Sequence, residues 1–470
     1  MYYRNFITAL AVLILAGGLF ADAPDTLWTK TYGGEQQDTA YSVCPTSDGG
    51  YVIAGITNSM GAGDCDGYLV KTDSAGNLDW EQTYGSEFAD GFFNVLETSD
   101  GHYLVSGWTS ITPFNTDSWL VKVDALGNVV WEKTYGGGDI DSTIGMVPTH
   151  DGNYLAVGYS VSYATEGYAD AWVLKFDPET GDTLWAKTYN YSTGSGDFFV
   201  SGCQTPDDGF LFTGATSVAV GNWDTYVVKT DSFGVPMWSR SYHWGVYDRV
   251  FSACQTSDGS YLITGTANLG QGEVLILKMD EAGDTVWTKL YGGEGEDRSW
   301  GICPSGDTMF FVSGRTSSFG SGGYDLWILA IDTEGDTLWT DTYGGTGDEW
   351  CYFPIMNAKG NLMLPAYTTS WGAGGADFWL LEYGCEEEPG VTEVLIDSPI
   401  RITTYFNRLS YEITNEAQLT LYSADGRRVL TETLKGKGVW EASDAIPAGV
   451  YFARVDSGMF STTKRLIVIR

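Results

Sequence analysis

The feature that most constrains the fold is a short segment that occurs seven times, in which a tryptophan is followed four residues later by a tyrosine. The first copy is Asp-Thr-Leu-Trp-Thr-Lys-Thr-Tyr-Gly-Gly at 25–34. The tryptophans of the series are Trp28, Trp80, Trp131, Trp185, Trp238, Trp287 and Trp339. Successive members are 52, 51, 54, 53, 49 and 52 residues apart. A period near 50 residues is typical of stacked supersecondary units, so the chain has to fold as an array of similar units.

Each repeat predicts four short strands. In the first full unit, Asp38 to Tyr84, segments of strand character begin at Asp38, Tyr51, Gly67 and Leu78, with turn residues between them. Turn signals every 8–12 residues indicate an antiparallel meander. One such sheet has two apolar faces and cannot bury both alone, so the copies must stack. The expected fold is all-β, with a seven-bladed β-propeller over residues 24–384.

The two ends of the repeat region predict how the propeller closes. The region begins with a lone tryptophan strand at 27–32, whereas the last unit stops after its third strand near Tyr383. The N-terminal strand should therefore supply the outer strand of the last blade. This arrangement would close the ring and leave no unpaired sheet edge.

The N-terminus has the features of a secretory signal peptide at 1–23. Arg4 supplies the positive charge, Phe6 to Phe20 an apolar run, and Ala21-Asp22-Ala23 a cleavage site. An uncleaved membrane anchor is the alternative, although the apolar run is short for a full span. The signal predicts a secreted or cell-surface protein attached to the outer membrane.

Charge is unevenly distributed along the chain. Acidic residues number 61 against 25 basic ones, for a formal net charge of −36. Residues 1–390 contain 52 of the acidic residues and 15 of the basic ones, and those 15 look scattered along the chain. Such a surface repels a phosphate backbone, so no nucleic-acid partner is expected. A closed ring of this kind is expected to be a monomer.

Two acidic series recur with the repeat. The first opens the innermost strand of every unit, at Asp38, Asp90, Asp141, Asp197, Asp248, Asp297 and Asp348. The second precedes the third strand, at Asp66, Asp117, Asp170, Asp224, Asp325 and Asp377, with Glu273 near the remaining position. Both series should line one rim. They could order loops by accepting backbone hydrogen bonds, bind Ca²⁺ through hard oxygen ligands, or act as catalytic carboxylates.

The aromatic residues fall into two groups. The repeated tryptophans are interpreted as structural, docking each blade on its neighbour. Aromatic side chains outside the repeat register are better candidates for stacking on a sugar ring, and Trp223, Trp244 and Trp371 lie in or beside the rim loops. The chain has three histidines, and they are interpreted as simple solvated residues. No catalytic residue is assigned, since no nucleophile elbow, HExxH or phosphate-binding loop occurs.

Two parts of the chain resemble known families. Residues 175–185 and 330–339 look like the tryptophan-docking repeat of quinoprotein-type propellers, in which an Asp–Gly turn leads to a wedged tryptophan. After a Glu-rich linker at 385–392 the repeat ends, and residues 393–470 resemble the C-terminal sorting domain of type IX secretion cargo. The motifs that carry this resemblance are LxLYSxDGRRV, AGVYFARV and the final TKRLIVIR, although Ser398-Pro399 departs from the usual Asn-Pro start. The resemblance implies a small Ig-like β-sandwich with the type IX secretion machinery as partner.

The favoured function is an exported or cell-surface, non-enzymatic binding or adhesion protein, with a glycan or protein ligand on the acidic rim. The alternatives are a propeller enzyme acting on extracellular polysaccharide and a quinoprotein-type dehydrogenase. No cofactor is predicted, and Ca²⁺ is left open. Propellers have many functions, so the fold does not decide among these.

Overall fold

The computed structural model describes residues 26–165, 168–219, 221–245, 247–268 and 272–384, and much of 400–468. In the C-terminal part it describes 400–405, 408–413, 416–423, 427–435, 437–441, 443, 446–447, 449–457 and 460–468. The predicted signal peptide (1–23) and linker (385–392) lie outside the described residues. Within those ranges, no helix has the length and apolarity needed to cross a membrane. The chain divides into two compact units, Met1–Glu386 and Glu387–Arg470.

The described residues of the larger unit form seven antiparallel sheets. Sheet 7 includes the first strand, β1 (Thr26–Tyr32). Sheet 1 is β2 (Asp38–Pro45), β3 (Tyr51–Thr57), β4 (Asp66–Thr72) and β5 (Leu78–Tyr84). Sheet 2 is β6 (Asp90–Glu97), β7 (Tyr103–Thr112), β8 (Asn115–Val123) and β9 (Val129–Tyr135). Sheet 3 is β10 (Asp141–Pro148), β11 (Tyr154–Ser160), β12 (Asp170–Phe176) and β13 (Thr183–Tyr189).

The remaining sheets follow the same order along the chain. Sheet 4 is β14 (Asp197–Gln204), β15 (Phe210–Ala219), β16 (Asn222–Thr230) and β17 (Pro236–Tyr242). Sheet 5 is β18 (Arg249–Gln255), β19 (Tyr261–Ala267), β20 (Glu273–Met279) and β21 (Thr285–Tyr291). Sheet 6 is β22 (Asp297–Ser305), β23 (Met309–Thr316), β24 (Asp325–Asp332) and β25 (Thr337–Tyr343). The rest of sheet 7 is β26 (Glu349–Cys351), β27 (Ile355–Met356), β28 (Leu362–Thr368) and β29 (Asp377–Tyr383).

The N-terminal strand closes the last sheet, as the repeat pattern predicts. β1 pairs antiparallel with β29, with Trp28 opposite Glu382 and Tyr32 opposite Phe378. Sheet 7 therefore has the order β1-β29-β28-β26, and β27 also pairs with β28. The fourth strand of this sheet comes from the opposite end of the repeat region, which joins the first sheet to the last.

Each core cluster of the larger unit is shared by two consecutive sheets. Phe378 of sheet 7 packs with Tyr68 of sheet 1, and Phe311 of sheet 6 packs with Trp379 of sheet 7. The other five consecutive pairs of sheets share buried clusters in the same way. The seven sheets therefore follow one another in a cycle around which every sheet buries both faces, which is the arrangement of a β-propeller.

At six of the seven positions the repeated tryptophan and tyrosine dock one sheet on a turn of the next. Tyr32 donates its hydroxyl to the carbonyl oxygen of Gly76 at 2.6 Å, and Tyr84 donates to that of Gly127 at 2.7 Å. A Cβ atom added at Gly76 would lie 2.6 Å from the Trp28 ring, and the φ of Gly76 is +73°. Only glycine satisfies both requirements. The same tyrosine–glycine bond recurs at Tyr135, Tyr189, Tyr242 and Tyr291.

The seventh docking position differs from the other six. Sheet 7 has no turn between its third and fourth strands, because the fourth strand is β1. Trp339 therefore stacks on Tyr383, with ring centroids 5.8 Å apart, and is only 6% exposed. The other six tryptophans of the series are half-buried. Contact with a turn glycine of the next sheet is thus observed for six of the seven tryptophans, and the burial of the rings is not uniform.

A buried lysine on the third strand holds the first turn of five sheets. Lys71 lies 2.9 Å from Asp48, and Lys229 lies 2.8 Å from Asp207. Burial alone would raise the pKa of Asp48, but hydrogen bonds from Thr46 and Lys71 lower it to about 2. The equivalent pairs are Lys122–Asp100, Lys175–Asp151 and Lys278–Asp258. The lysine of the third strand and the aspartate of the first turn therefore recur together because they form one structural ion pair.

In the part of the smaller unit that the structure describes, the strands form two antiparallel sheets. One is formed by β30 (Ile400–Tyr405), β31 (Arg408–Ile413) and β34 (Lys437–Glu441). The other is formed by β32 (Ala417–Ser423), β33 (Arg428–Leu434), β35 (Gly449–Ser457) and β36 (Phe460–Val468). Trp440 of the first sheet belongs to one buried cluster with Leu419, Leu421 and Val455 of the second.

Candidate functional site

A buried carboxylate stands at the start of the first strand of every sheet in the larger unit. These residues are Asp38, Asp90, Asp141, Asp197, Asp248, Asp297 and Glu349. Each accepts a hydrogen bond from a backbone amide of the preceding loop, as Asp38 does from Gly34 at 2.8 Å. Ser59 of the next loop also donates to Asp38, at 2.8 Å. The first acidic series therefore orders the rim loops, one of the roles considered from the sequence.

The structure corrects the last member of this series. Asp348 is exposed and accepts a hydrogen bond from the Tyr324 amide at 2.9 Å. The buried position belongs to Glu349, which accepts from the Gly345 amide at 2.9 Å and from the Thr368 hydroxyl at 2.8 Å. The first strand of sheet 7 begins one residue later than the spacing indicates, and the longer side chain of glutamate reaches the same amide.

The second acidic series faces the first across the junctions between sheets, so the two series lie on the same rim. A Cβ atom at Gly85 would lie 2.5 Å from Asp66 Oδ1 and 2.7 Å from Asp90 Oδ2. Burial raises the pKa of Asp66, and the charge of Asp90 raises it further. Asp117 responds in the same way to Asp141. Glycine is required at this point because both carboxylates converge on it.

Two junctions carry a polar side chain where the others have glycine. Between sheets 3 and 4, Asn190 donates to Asp170 at 2.8 Å. Between sheets 4 and 5, His243 Nδ1 lies 2.8 Å from Asp224 Oδ1 and 3.9 Å from Asp248 Oδ2. The sequence interpretation of His243 as simply solvated missed this contact. The available signal was that His243 replaces the first glycine of the Tyr-Gly-Gly copy, between the two acidic series.

Three arginines break the equivalence of the repeats at the same rim. Residues 26–384 contain four arginines, Arg240, Arg249, Arg298 and Arg315. Arg249 and Arg298 each directly follow the buried carboxylate of their sheet, and Arg315 is the strand partner of Arg298. The positions equivalent to Arg249 and Arg298 carry Thr39, Gly91, Ser142, Phe198 and Trp350 in the other sheets. Three of the basic residues that look scattered in the sequence therefore converge here.

Aromatic rings enclose two of these guanidinium groups. The Arg249 guanidinium lies 4.6 Å from the ring centre of Trp223 and 4.3 Å from that of Tyr247. The Arg315 guanidinium lies 3.6 Å from the ring centre of Trp350 and 3.9 Å from that of Tyr324. Such contacts hold a planar cation in place without neutralising its charge. We call Arg249, Arg298, Arg315 and these four aromatic residues the arginine cluster.

The charges within the arginine cluster do not balance. Glu296 pairs with Arg298, at 2.8 Å, and also with Arg315. Among the described residues, no carboxylate lies within ion-pair distance of Arg249, and its buried Nε has no hydrogen-bond partner. Burial lowers the pKa of Arg249, and the charge of Arg298 lowers it further. The cluster thus concentrates positive charge in a chain whose net charge is −36.

Apolar side chains of the first strands adjoin the arginine cluster. Six of the first strands have a bulge at the same place, between Ala40 and Ser42 in sheet 1, for example. The bulge residue Tyr41 contacts Phe93 of sheet 2 at 5.2 Å and Tyr352 of sheet 7 at 4.8 Å. Trp300, the bulge residue of sheet 6, lies 5.7 Å from the Arg315 guanidinium. The innermost strands therefore meet through aromatic contacts beside the cluster.

The three tryptophans predicted to bind ligand do not form one site. Trp223 belongs to the arginine cluster. Trp244 stacks on Tyr242, with ring centroids 6.0 Å apart, and is half-buried. Trp371 lies in the loop between β28 and β29, where it packs on Trp379 at 5.3 Å and remains 43% exposed. The sequence analysis did not identify the three arginines as site residues. Their absence from the equivalent positions of the other repeats could have indicated them.

Comparisons with known proteins find similarity in structure alone. No family model matches the chain, and no curated protein matches it either. A protein of unknown function from Dyadobacter fermentans aligns at 12% identity over 77% of this chain and 100% of its own, with a TM-score of 0.45. The Pan2 WD40 domain of Neurospora crassa aligns at 10% identity over 78% of this chain and 98% of its own, with a TM-score of 0.47.

A third neighbour belongs to an enzyme. The β-propeller domain of the trilobed protease from Pyrococcus furiosus aligns at 10% identity over 75% of this chain and 95% of its own, with a TM-score of 0.44. The structural neighbours therefore include parts of enzymes as well as proteins of unknown function. At these identities the likeness concerns the fold alone.

Proposed function

We propose that this protein is an exported, seven-bladed binding propeller that takes an anionic saccharide at the arginine cluster and is not itself an enzyme. The observation that carries the proposal is the grouping of Arg249, Arg298 and Arg315, of which only Arg298 and Arg315 pair with a carboxylate, Glu296. A guanidinium presents two parallel N–H groups that match a carboxylate or sulfate. The neighbouring indole and phenol rings offer flat apolar faces on which a sugar ring stacks.

The charge of the rest of the chain narrows the ligand class. An extended polyanion would be repelled by a surface with a formal charge of −36. A short chain or a single charged end avoids that repulsion, because exposed charges farther away than about 8–10 Å are screened at physiological salt. An oligosaccharide with one or a few uronic-acid residues fits both the cluster and its surroundings. A protein ligand that presents an exposed carboxylate is the alternative within the same binding role.

Binding of uronic-acid oligosaccharides tests the proposal, with the carboxyl-reduced sugars as matched ligands. In titration calorimetry, we expect the charged sugars to bind and the carboxyl-reduced sugars not to bind. Arg249→Met should weaken that binding about 10- to 100-fold, the usual effect of losing a charged hydrogen-bonding partner. Arg240→Met is the control, because Arg240 lies outside the cluster, over the Trp238 ring. Equal affinity for charged and reduced sugars, or for the parent and Arg249→Met, would refute the proposal.

An enzyme on the same scaffold is the second candidate, favoured by the asymmetry of the cluster. An enzyme needs one active site, and a cluster confined to a few sheets could provide it. A rim that carries the same residues in every sheet would not single out such a site. If the chain degrades the sugar that it binds, new reducing ends should accumulate on prolonged incubation. A quinoprotein-type dehydrogenase is the remaining form of this alternative, and calcium binding by the first acidic series remains a prediction.

For export, we propose that residues 1–23 are a signal peptide, 385–392 a linker and 393–470 an Ig-like sorting domain read by the type IX secretion machinery. The end of the repeat and the change in charge balance after residue 390 support this division. In a host with that pathway, a chain lacking 391–470 should fold and accumulate in the periplasm, while the full chain reaches the surface. Cell fractionation distinguishes the two. Normal surface delivery of the truncated chain would make the tail a candidate binding module instead.

A further inference from the structure

We propose that Asp224, His243 and Asp248 bind one divalent transition-metal ion at the junction of sheets 4 and 5. Each residue offers one ligand atom, and the three atoms lie within 4.8 Å of one another. They come from three separate segments: the start of β16, the loop after β17, and the residue before β18. The ring of this propeller, not a local sequence motif, brings them together.

The ligand spacing suits a small cation. In a tetrahedral site with bonds of 2.0–2.2 Å, ligand atoms stand roughly 3.4 Å apart. His243 Nδ1 lies 2.8 Å from Asp224 Oδ1 and 3.9 Å from Asp248 Oδ2, distances that bracket this value. Three protein ligands would leave a fourth position for water or for a ligand atom, as in open zinc sites.

The three ligands differ in burial. The Asp248 side chain is completely buried, and its Oδ2, the oxygen nearest His243, accepts hydrogen bonds from the Trp244 and Gly245 amides. Its Oδ1 has no hydrogen-bond donor among the described residues, as is also true of Asp38 and Asp197. The Asp224 side chain is 9% exposed, whereas that of His243 is 59% exposed. A cation between the two carboxylates would offset their mutual repulsion. The exposed imidazole leaves an ion a route from solvent to these carboxylates.

The other junctions of the ring explain why one site is expected. Where glycine stands in place of His243, the carboxylate pair has no nitrogen ligand. At the junction of sheets 3 and 4, Asn190 takes the same place and donates its amide nitrogen to Asp170. An amide nitrogen offers no lone pair to a metal, because that lone pair is delocalised into the carbonyl group. His243 is the one histidine of the chain that stands between the two acidic series.

The donor set favours a borderline cation over calcium or magnesium. An imidazole nitrogen with two carboxylate oxygens suits Zn²⁺, Co²⁺ or Ni²⁺, whereas Ca²⁺ takes six to eight oxygen ligands. The ion would join the segments that carry Trp223, Trp244 and Arg249, since these residues are chain neighbours of the three ligands. Metal binding would therefore hold one wall of the arginine cluster, although it does not depend on the saccharide proposal.

Titration of the full, metal-free chain with Zn²⁺, and with Co²⁺ as a spectroscopic probe, tests the inference without any saccharide. We expect one equivalent of Zn²⁺, a Co²⁺ absorption band in the visible range, and a higher melting temperature with Zn²⁺ than with Ca²⁺. His243→Asn copies the arrangement at Asn190 and should keep the fold, with an unchanged melting temperature in chelator. It should lose the Co²⁺ band and weaken Zn²⁺ binding at least tenfold.

The reciprocal variant strengthens the test. Asn190→His places an imidazole between Asp170 and Asp197, where it should create a second site and raise the stoichiometry to two. An unchanged Zn²⁺ stoichiometry in both His243→Asn and Asn190→His overturns the inference. Absence of Zn²⁺ binding by the parent chain overturns it as well. If the parent chain binds Zn²⁺ but no saccharide, the result contradicts the proposed function and leaves the metal-site inference standing.

Discussion

Deletion of residues 24–34 is expected to abolish the monomeric, stably folded state of the larger unit. The deletion removes β1, whose residues from Thr26 to Tyr32 pair with β29. It also removes Trp28 and Tyr32, which dock sheet 7 on the turn of sheet 1 at Gly76. The exposed strand β29 would then offer a long, apolar edge for association with other chains. Size-exclusion chromatography with light scattering, and thermal unfolding, measure the effect.

The control for the deletion uses the same strand. Leu27 is 55% exposed, so Leu27→Ser should leave the assembly state and the melting temperature close to those of the parent. A synthetic peptide of residues 24–34 should restore monomers to the deletion variant by adding the missing strand. A deletion variant as monomeric and stable as the parent would show that β1 contributes little to closure.

Replacement of the docking tryptophans is expected to destabilise the larger unit according to their burial. Trp339→Ala should lower the free energy of unfolding by about 3–5 kcal/mol, because Trp339 is 6% exposed and stacks on Tyr383. Trp185→Ala and Trp287→Ala should each cost about 2–3 kcal/mol, because these rings are only half-buried. Urea unfolding of each variant gives the measurement.

Leu184→Ala is the matched control, since Leu184 adjoins Trp185 on the same strand and is 50% exposed. Its effect should stay within about 0.5 kcal/mol of the parent, as for most surface substitutions. If Trp339→Ala proved no more destabilising than Trp185→Ala, docking on the turn rather than burial would be the main contribution of these tryptophans.

The regular part of the structure could be predicted from the sequence because the same pattern occurs seven times. Strand lengths, turns and the Trp–Tyr pair recur in each repeat. The pattern can therefore be identified even where one copy is irregular. The lone strand at 27–32 and the missing fourth strand after Tyr383 sufficed to predict closure, which the pairing of β1 with β29 confirms. Periodicity is a local property, and the alternation of apolar residues reports it directly.

What deviates from the repeat was decided by the tertiary structure. Spacing pointed to Asp348, but the strand begins at Glu349, and only the buried hydrogen bonds show which carboxylate holds the loop. The docking tryptophans are equivalent in the repeat, yet Trp339 is buried and the other six are half-buried. The absence of a turn in sheet 7 is what makes Trp339 different from Trp185.

The sequence by itself determined the repeat, the β-propeller strand order and the two acidic series. The tertiary structure alone decided which of the residues that depart from the repeat come into contact. Arg249 and Arg298 are 49 residues apart, yet they lie at the same level of adjacent sheets because each follows the buried carboxylate of its own sheet. His243 reaches Asp224 and Asp248 for the same reason. Contacts between sheets depend on three-dimensional packing around the ring, which no one-dimensional period records.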